Sequence, residues 1–122
     1  MDGRTRAARG AAAEVAAERY LQRAGMRPVA RDVRLPGGQI DLVMLDGDVL
    51  VVVEVKARRG TGFGLPEEAV DASKLARLRR LAAAYRRLNP GLGRALRVDV
   101  VAIELNADGG PGRCRHIADV LT

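Results

Sequence analysis

Three charged residues interrupt two otherwise apolar segments between Gly38 and Arg58. They are Asp41, Glu54 and Lys56. A β-strand turns alternate side chains to opposite faces, so Glu54 and Lys56, which are two positions apart, share a face. The apolar run from Val49 to Val53 predicts a strand buried on both sides, whose charged end opens into a cleft.

The turn between the two segments determines how they pair. Gly47 and Asp48 have the composition of a two-residue hairpin loop, in which glycine supplies the positive φ that a tight turn needs. We therefore expect an antiparallel hairpin in which Asp46 pairs with Val49, and in which the numbers of paired residues sum to 95. A three-residue loop would instead break this register and turn the two acids to opposite faces.

That register brings charged side chains together at the open end of the hairpin. Asp41 lies opposite Glu54, and Gln39 lies opposite Lys56. Two carboxylates about 5 Å apart at Cβ repel each other unless one is protonated or a cation lies between them. A divalent metal ion satisfies this arrangement best, and the alternative is a hairpin whose acidic rim faces solvent.

The composition indicates one compact domain with a basic surface. With 122 residues and 48% hydrophobic content, the chain is long enough for a single domain, residues 1–122, and too short for two ordinary ones. Its net charge of +6 favours a polyanionic partner such as nucleic acid, although ribosome-associated and anionic-membrane proteins share this property. Cys114 is the only cysteine, which fits a reducing cytoplasm. We expect no secretion signal and no membrane span, because no segment approaches the roughly 20 apolar residues that cross a bilayer.

A helix and an edge strand are predicted before the hairpin. The first six or so residues are expected to form a flexible basic arm. Ala7 to Ala24 predicts a helix that stops at Gly25, and Val29 to Leu35 predicts a short edge strand. The apolar stripe of the predicted helix consists of Ala17, Tyr20, Leu21 and Ala24. Glu14 lies off the centre of this stripe, where its position alone favours water over a neighbouring cleft.

A second helix carries a run of uncompensated positive charge. It opens at Pro66, breaks or continues around Asp71 to Ser73, and ends near Leu88. No acidic residue occurs between Lys74 and Arg97, and a charge run of one sign favours contact with phosphates over plain solvation. The loop after Lys56 adds Arg58, Arg59 and Phe63, which suit phosphate and base contacts or belong to a plain connector.

Two further strands complete the predicted sheet. Arg97 to Leu105 is expected to be central or nearly so, and Arg113 to Val120 is expected to be an edge strand. Asp99 either supports a metal site or pairs with an arginine, and the pairing is favoured. The sequence places no carboxylate beside His116, so we interpret this only histidine as structural or exposed rather than as a general base.

The order of these elements and motifs resembles the PD-(D/E)XK nuclease superfamily. More specifically, the chain resembles the bacterial YraN-type family, which is similar to archaeal Holliday-junction resolvases. The segments that carry the resemblance are Glu14 in the first helix, Gly38 with Ile40-Asp41-Leu42, Val53-Glu54-Val55-Lys56 with Arg58, Lys74, and Arg97-Val98-Asp99. The resemblance implies an α/β fold with a restriction-endonuclease-like αβββαββ core, in which helices flank a mixed central sheet.

The same resemblance implies a metal-dependent endonuclease that hydrolyses DNA phosphodiester bonds. In that interpretation Asp41, Glu54 and the carbonyl of Val55 bind Mg²⁺ or Mn²⁺, and Glu14 completes the acidic cluster directly or through water. Lys56 orients the attacking water or stabilises the transition state. The implied DNA contacts are Arg58, Arg59, Lys74, Arg77, Arg79 and Arg80.

One departure from the family pattern and two alternatives accompany this interpretation. Gln39 stands where the family usually has glutamate, so a carboxylate is missing opposite Lys56. The first possibility is an active nuclease that cleaves branched or structured DNA and forms a homodimer. The second is a catalytically weak or inactive nuclease-fold protein that binds nucleic acid. A protein-interaction adaptor in DNA repair or replication is the other alternative, and salt-sensitive DNA binding would argue against it.

Overall fold

The chain forms a five-stranded mixed sheet with one helix on each face. The computed structural model describes residues 6–59 and 71–121. The predicted basic arm (apart from Arg6), Phe63 and the predicted helix start at Pro66 lie outside the described residues. The elements are α1 (Arg6–Arg23), β1 (Arg27–Leu35), β2 (Gly38–Asp46), β3 (Val49–Arg59), α2 (Ala72–Leu88), β4 (Ala95–Leu105) and β5 (Pro111–Ile117). The predicted order of one helix, three strands, a helix and two strands is confirmed.

The strands lie side by side in the order in which they occur in the chain. Neighbouring strands are antiparallel except for β3 and β4, which are parallel and are connected through α2. Both edge strands are the predicted ones, β1 and β5, and β4 lies next to the central strand β3. The sheet is mixed because a two-residue turn joins antiparallel strands, whereas a helical crossover returns the chain in parallel.

Local sequence explains the ends of both helices. Gly25 takes a φ of 102° after α1, and its N–H and that of Met26 donate to the carbonyls of Gln22 and Leu21, both at 3.0 Å. This is a Schellman motif, which the predicted glycine stop makes possible. Asp71 caps α2, because its side chain accepts the backbone N–H of Lys74 at 2.9 Å.

Each helix covers its own hydrophobic core. Ala17 and Leu21 of α1 pack with one set of sheet residues, while Leu78 and Leu81 of α2 pack with the other. The predicted apolar stripes are wrong at the helix ends, where two of their residues are not buried. Ala24 is exposed beyond the end of α1, and Leu88 is 67% exposed. Among the described residues, no helix is both long and apolar enough to cross a membrane.

Candidate catalytic and metal site

The β2–β3 hairpin has the predicted register around its turn. Asp46 pairs with Val49, and the ladder continues without a shift to Leu42 and Val53, so the paired residue numbers sum to 95. The turn is the expected two-residue loop of Gly47, with a φ of 62°, and Asp48. The loop chemistry therefore predicted the pairing of the whole apolar part of the hairpin.

The ladder between β2 and β3 ends before it reaches the charged residues. The sequence did not predict this early end. Beyond Leu42, strand β2 pairs only with β1: Gln39 lies opposite Arg34 and donates its side-chain amide to Asp32 Oδ1 at 3.0 Å. The prediction that Gln39 lies opposite Lys56 is therefore wrong. The physical reason is that β2 and β3 separate here, where the start of β2 packs toward α2.

The alternation of side chains along β2 also shifts at this point, so that residues two apart lie on opposite faces of the sheet. Leu42 belongs to the core under α1, yet Ile40, two positions earlier, belongs to the core under α2. A regular strand keeps residues two apart on one face. The pairs on either side place Asp32 of β1 across from Asp41, and Asp32 has a left-handed φ of 51° that non-glycine residues rarely adopt. Asp41 therefore lies at the switch between the two faces rather than on either core.

Asp41 contacts β3 through its side chain where the ladder would have continued. Its Oδ2 accepts the backbone N–H of Val55 at 2.8 Å, and its carboxyl is hydrogen-bonded to that of Glu54. Burial, followed by the charge of Glu54, raises the pKa of Asp41 to about 7, and the Val55 N–H opposes this rise. The two acids are thus adjacent as predicted, although not as a ladder pair.

Glu14 reaches the same end of the sheet from α1. Burial is the main cause that raises its pKa to about 8, and a hydrogen bond to Asp32 and the charge of Asp41 add to it. The interpretation of Glu14 as a solvated residue is wrong. Sequence analysis missed Asp32 altogether, and its only local signal is that aspartate tolerates the left-handed conformation better than most residues.

The acidic groups are distributed across both faces of the sheet. Glu14 and Asp32 contact each other on the side of α1, whereas Glu54 points to the side of α2, because its neighbour Val53 belongs to the α1-side core. Within residues 6–59 and 71–121, no group of three His, Cys, Asp or Glu side chains is close enough to hold a metal ion. Asp41, at the face switch, contacts Glu54 and is near enough to Glu14 for its charge to raise the pKa of Glu14.

Lys56 lies on the α2 side, beside Glu54 as predicted. Its Nζ is 3.8 Å from Glu54 Oε1, and the two side chains are only 14% and 12% exposed. Burial and the contact with Lys74 of α2 lower the pKa of Lys56, whereas Glu54 opposes this effect. Two lysines in contact repel, so an anion between them would stabilise both.

The other predicted DNA-contacting residues divide into separate groups. Arg58 and Arg59 are exposed at the end of β3. Arg77 and Arg80 line a groove together with Arg87, which the predicted DNA contacts omitted. Arg79 projects from the other flank of α2, since successive helical residues are about 100° apart. The structure therefore separates side chains that the sequence had grouped as one charge run.

A second charged cluster lies within the α1-side core. Asp99 is fully buried, and it accepts hydrogen bonds from Arg97 Nε and Nη2 at 2.9 and 3.0 Å and from the backbone N–H of Asp119 at 2.9 Å. Its Oδ2 is also 2.7 Å from His116 Nε2. The predicted pairing of Asp99 with an arginine is confirmed. The expectation that His116 has no carboxylate beside it is wrong, because the β4–β5 register sets His116 opposite Val101, on the same face as Asp99.

The order of the elements and the mixed sheet define an α/β domain with the restriction-endonuclease-like fold. Within that class, the chain belongs to the family described as "Uncharacterised protein family UPF0102", whose model matches residues 13–103. This is the YraN-type family that the sequence resembled, so that prediction is confirmed.

Relatives in several bacteria match nearly the whole chain. A UPF0102 protein of Beutenbergia cavernae is 45% identical over 117 residues, covering 96% of this chain and 98% of the relative. A UPF0102 protein of Symbiobacterium thermophilum is 48% identical over 112 residues, covering 92% of this chain and 94% of the relative.

A solved structure shares the fold. The structure of an EndoMS complex with double-stranded DNA aligns with a TM-score of 0.50 and 22% identity, covering 89% of this chain. The chain spans 42% of that longer chain. At this identity the likeness shows the fold and no more.

Proposed function

We propose that this protein is a metal-dependent nuclease that hydrolyses DNA phosphodiester bonds, with Asp41, Glu54 and Lys56 as its catalytic residues. The observation that carries the proposal is the contact between the carboxyl groups of Asp41 and Glu54 at the end of the ladder. Their proximity and burial raise the pKa of Asp41 to about 7, which opposes ionisation of both acids at once. A divalent cation would favour the doubly ionised pair.

The oxygen atoms at this position fit Mg²⁺ or Mn²⁺. Asp41 and Glu54 would supply carboxylate oxygens, and Val55 would supply its carbonyl, which lies on the same side of β3 as the N–H that Asp41 accepts. Glu14 would contribute directly or through water. Oxygen ligands alone suit hard cations. When bound, the ion would lower the pKa of an attacking water and neutralise charge that develops on the phosphate.

The lysines act on the substrate phosphate. Lys56 either orients the attacking water or stabilises the extra negative charge of the transition state. Lys74 contacts Lys56 from the start of α2 and would hold an adjacent phosphate oxygen. A phosphodiester placed between them would relieve the repulsion that lowers the pKa of Lys56.

The charge of the protein supports DNA as the polymer. The chain carries a net charge of +6, and α2 contains no acidic residue. The similar fold in a complex with double-stranded DNA supports the same ligand class. The family resemblance supports branched or structured DNA as the substrate and a homodimer as the assembly. The single cysteine, Cys114, supports action in the reducing cytoplasm.

A second candidate is a nuclease-fold protein that binds DNA without cleaving it. It is favoured by the wide distribution of the acids, since no three of them gather around one point within the described residues. It is also favoured by Gln39, whose amide is hydrogen-bonded to Asp32 and supplies no carboxylate.

One experiment separates the two candidates. Wild type, Asp41→Ala and Lys56→Ala are incubated with linear, flapped and four-way-junction DNA in Mg²⁺, Mn²⁺ or EDTA. Asp48→Ala is the matched control, because Asp48 is an exposed acid at the opposite end of the same hairpin. The nuclease proposal expects cleavage that EDTA and both site variants abolish and that the control retains. The nuclease proposal is refuted if no cleavage occurs or if cleavage survives both substitutions. DNA binding without cleavage would then favour the second candidate.

A further inference from the structure

A groove of about 290 Å³ runs along α2, beside the start of β2. The turn between β1 and β2 forms its other wall. Its lining residues are Pro36, Gly37, Arg77, Arg80, Leu81, Ala84 and Arg87. Three of these seven are arginines, and none is acidic. We infer that this groove binds the phosphates of one DNA strand that extends beyond the catalytic site, an inference that rests on the proposed function for its ligand class.

The arginines of the groove lack partners in the described part of the chain. No ion pair involves Arg77, Arg80 or Arg87 there, and α2 has no acidic residue that could pair with them along the helix. Arg77 Nε is buried without a hydrogen-bond acceptor among the described residues. An unpaired buried donor destabilises a protein, so a phosphate oxygen in the groove would supply the acceptor that this guanidinium lacks.

The groove continues a row of cations that begins at the catalytic end. Lys74 contacts Lys56 there. At a rise of 1.5 Å per residue, Arg77, Arg80 and Arg87 follow at about 4.5, 9 and 20 Å along the helix axis. Phosphates in one strand of a duplex advance about 3.4 Å each, so 20 Å corresponds to roughly six nucleotides. One phosphate or mononucleotide is too short to contact the whole row, and the ligand is therefore a strand.

The far wall of the groove is held in place by packing. A Cβ built on Gly38 would lie 3.2 Å from Leu81 Cδ1 and 3.6 Å from Arg77 Cδ, so the end of the β1–β2 hairpin lies close against α2. The Cβ position of Gly37 has no atom within 4 Å, so the groove is open on that side. The apolar lining residues Leu81 and Ala84 provide a surface for the sugars, while the arginines contact the phosphates.

The test compares two double variants that lose the same charge. Arg80→Ala with Arg87→Ala removes the two exposed arginines of the groove. Arg94→Ala with Arg113→Ala removes two exposed arginines outside it, and Arg94 has an 89% exposed side chain. Binding to fluorescent single strands of 2, 4, 8 and 12 nucleotides is measured by anisotropy between 50 and 300 mM KCl. Competition with inorganic phosphate is the additional arm.

We expect the groove variant to lower the slope of log K against log [KCl] by about 1.4 for the longer strands, at about 0.7 per phosphate contact. The control variant should leave the slope near that of wild type. For 2-nucleotide strands the two variants should behave alike, and inorganic phosphate should compete no better than an equal ionic strength of KCl. Equal slope losses in both variants, no loss in either, or specific competition by phosphate would overturn the inference.

Failure of the groove inference can be distinguished from failure of the proposed nuclease function. If wild type cleaves DNA but both double variants keep its slope, the groove is refuted and the nuclease stands. If no cleavage occurs while the slope falls only in the groove variant, the groove stands as a strand-binding site and the nuclease proposal fails.

Discussion

The substitution Asp41→Asn tests whether repulsion between buried acids dominates the catalytic end of the sheet. Burial and Glu54 raise the pKa of Asp41 from 3.8 to about 7. Between these values the folded protein binds more protons than the unfolded chain, so the free energy of unfolding falls as pH rises through this window. Asparagine is neutral at every pH, yet it keeps an oxygen that can accept the Val55 N–H.

The expected magnitude follows from linkage between protonation and folding. A single group with these two pKa values would lose about 2.6 kcal/mol of stability between pH 5 and pH 8. We expect about 1–2.5 kcal/mol to be measured, because Asp41 keeps partial contact with water. This part of the loss is absent in Asp41→Asn, whereas the raised pKa of Glu14, which is mainly due to burial, causes a loss of stability in both proteins. The variant also removes the charge that raises the pKa of Glu14, an effect of the same sign.

Urea unfolding followed by circular dichroism, in EDTA at pH 5 and pH 8, measures this difference. Asp48→Asn, an acid with a 67% exposed side chain, is the matched control and should follow wild type. At pH 8, Mn²⁺ at 100 times its Kd should add about 2.7 kcal/mol to wild type and much less to Asp41→Asn. If wild type and Asp41→Asn lose the same stability between the two pH values, the repulsion argument is refuted.

Three further substitutions are tested by the same urea assay. Asp99→Asn removes the buried carboxylate that Arg97 and His116 contact, while Arg97 keeps its contact with Asp46, and should lower the free energy of unfolding by about 1.5–3 kcal/mol, whereas a change below 1 kcal/mol would show that the cluster is not held by charge. Asp71→Ala removes the oxygen that accepts the Lys74 N–H and should cost about 1 kcal/mol, and no change would contradict its role as a cap. Asp32→Gly should be more stable than Asp32→Ala by about 1 kcal/mol, since only glycine relieves the left-handed φ of 51°, and equal stabilities would argue against backbone strain.

Local chemistry explains why the sequence predicted the strands and the hairpin. A Gly-Asp turn sets the register of the strands on either side of it, and period-two alternation then assigns Glu54 and Lys56 to one face. Both properties depend on residues that are close in the chain. The same is true of the helix stop at Gly25.

Contacts between distant segments explain what the sequence did not predict. The ladder stops at Leu42 because the start of β2 packs on α2, a helix that begins 30 residues later in the chain. Asp32 meets Glu14 only when β1 crosses α1, and His116 meets Asp99 only through the β4–β5 register. No spacing rule within one segment indicates such pairs.

The face switch in β2 explains how one aspartate serves both halves of the site. In a regular strand Asp41 would share a face with Val43, on the α2-side core, and would point away from Glu14 on α1. The left-handed conformation of Asp32 accompanies a turn of both strands, which leaves Asp41 between Glu14 on one side and Glu54 on the other. The lysines lie on the second side, where Lys56 contacts Lys74, whereas Arg31 on the first side is paired with Glu18. A phosphodiester is therefore expected to approach from α2 and to meet the acids at Asp41, the residue that joins the two groups.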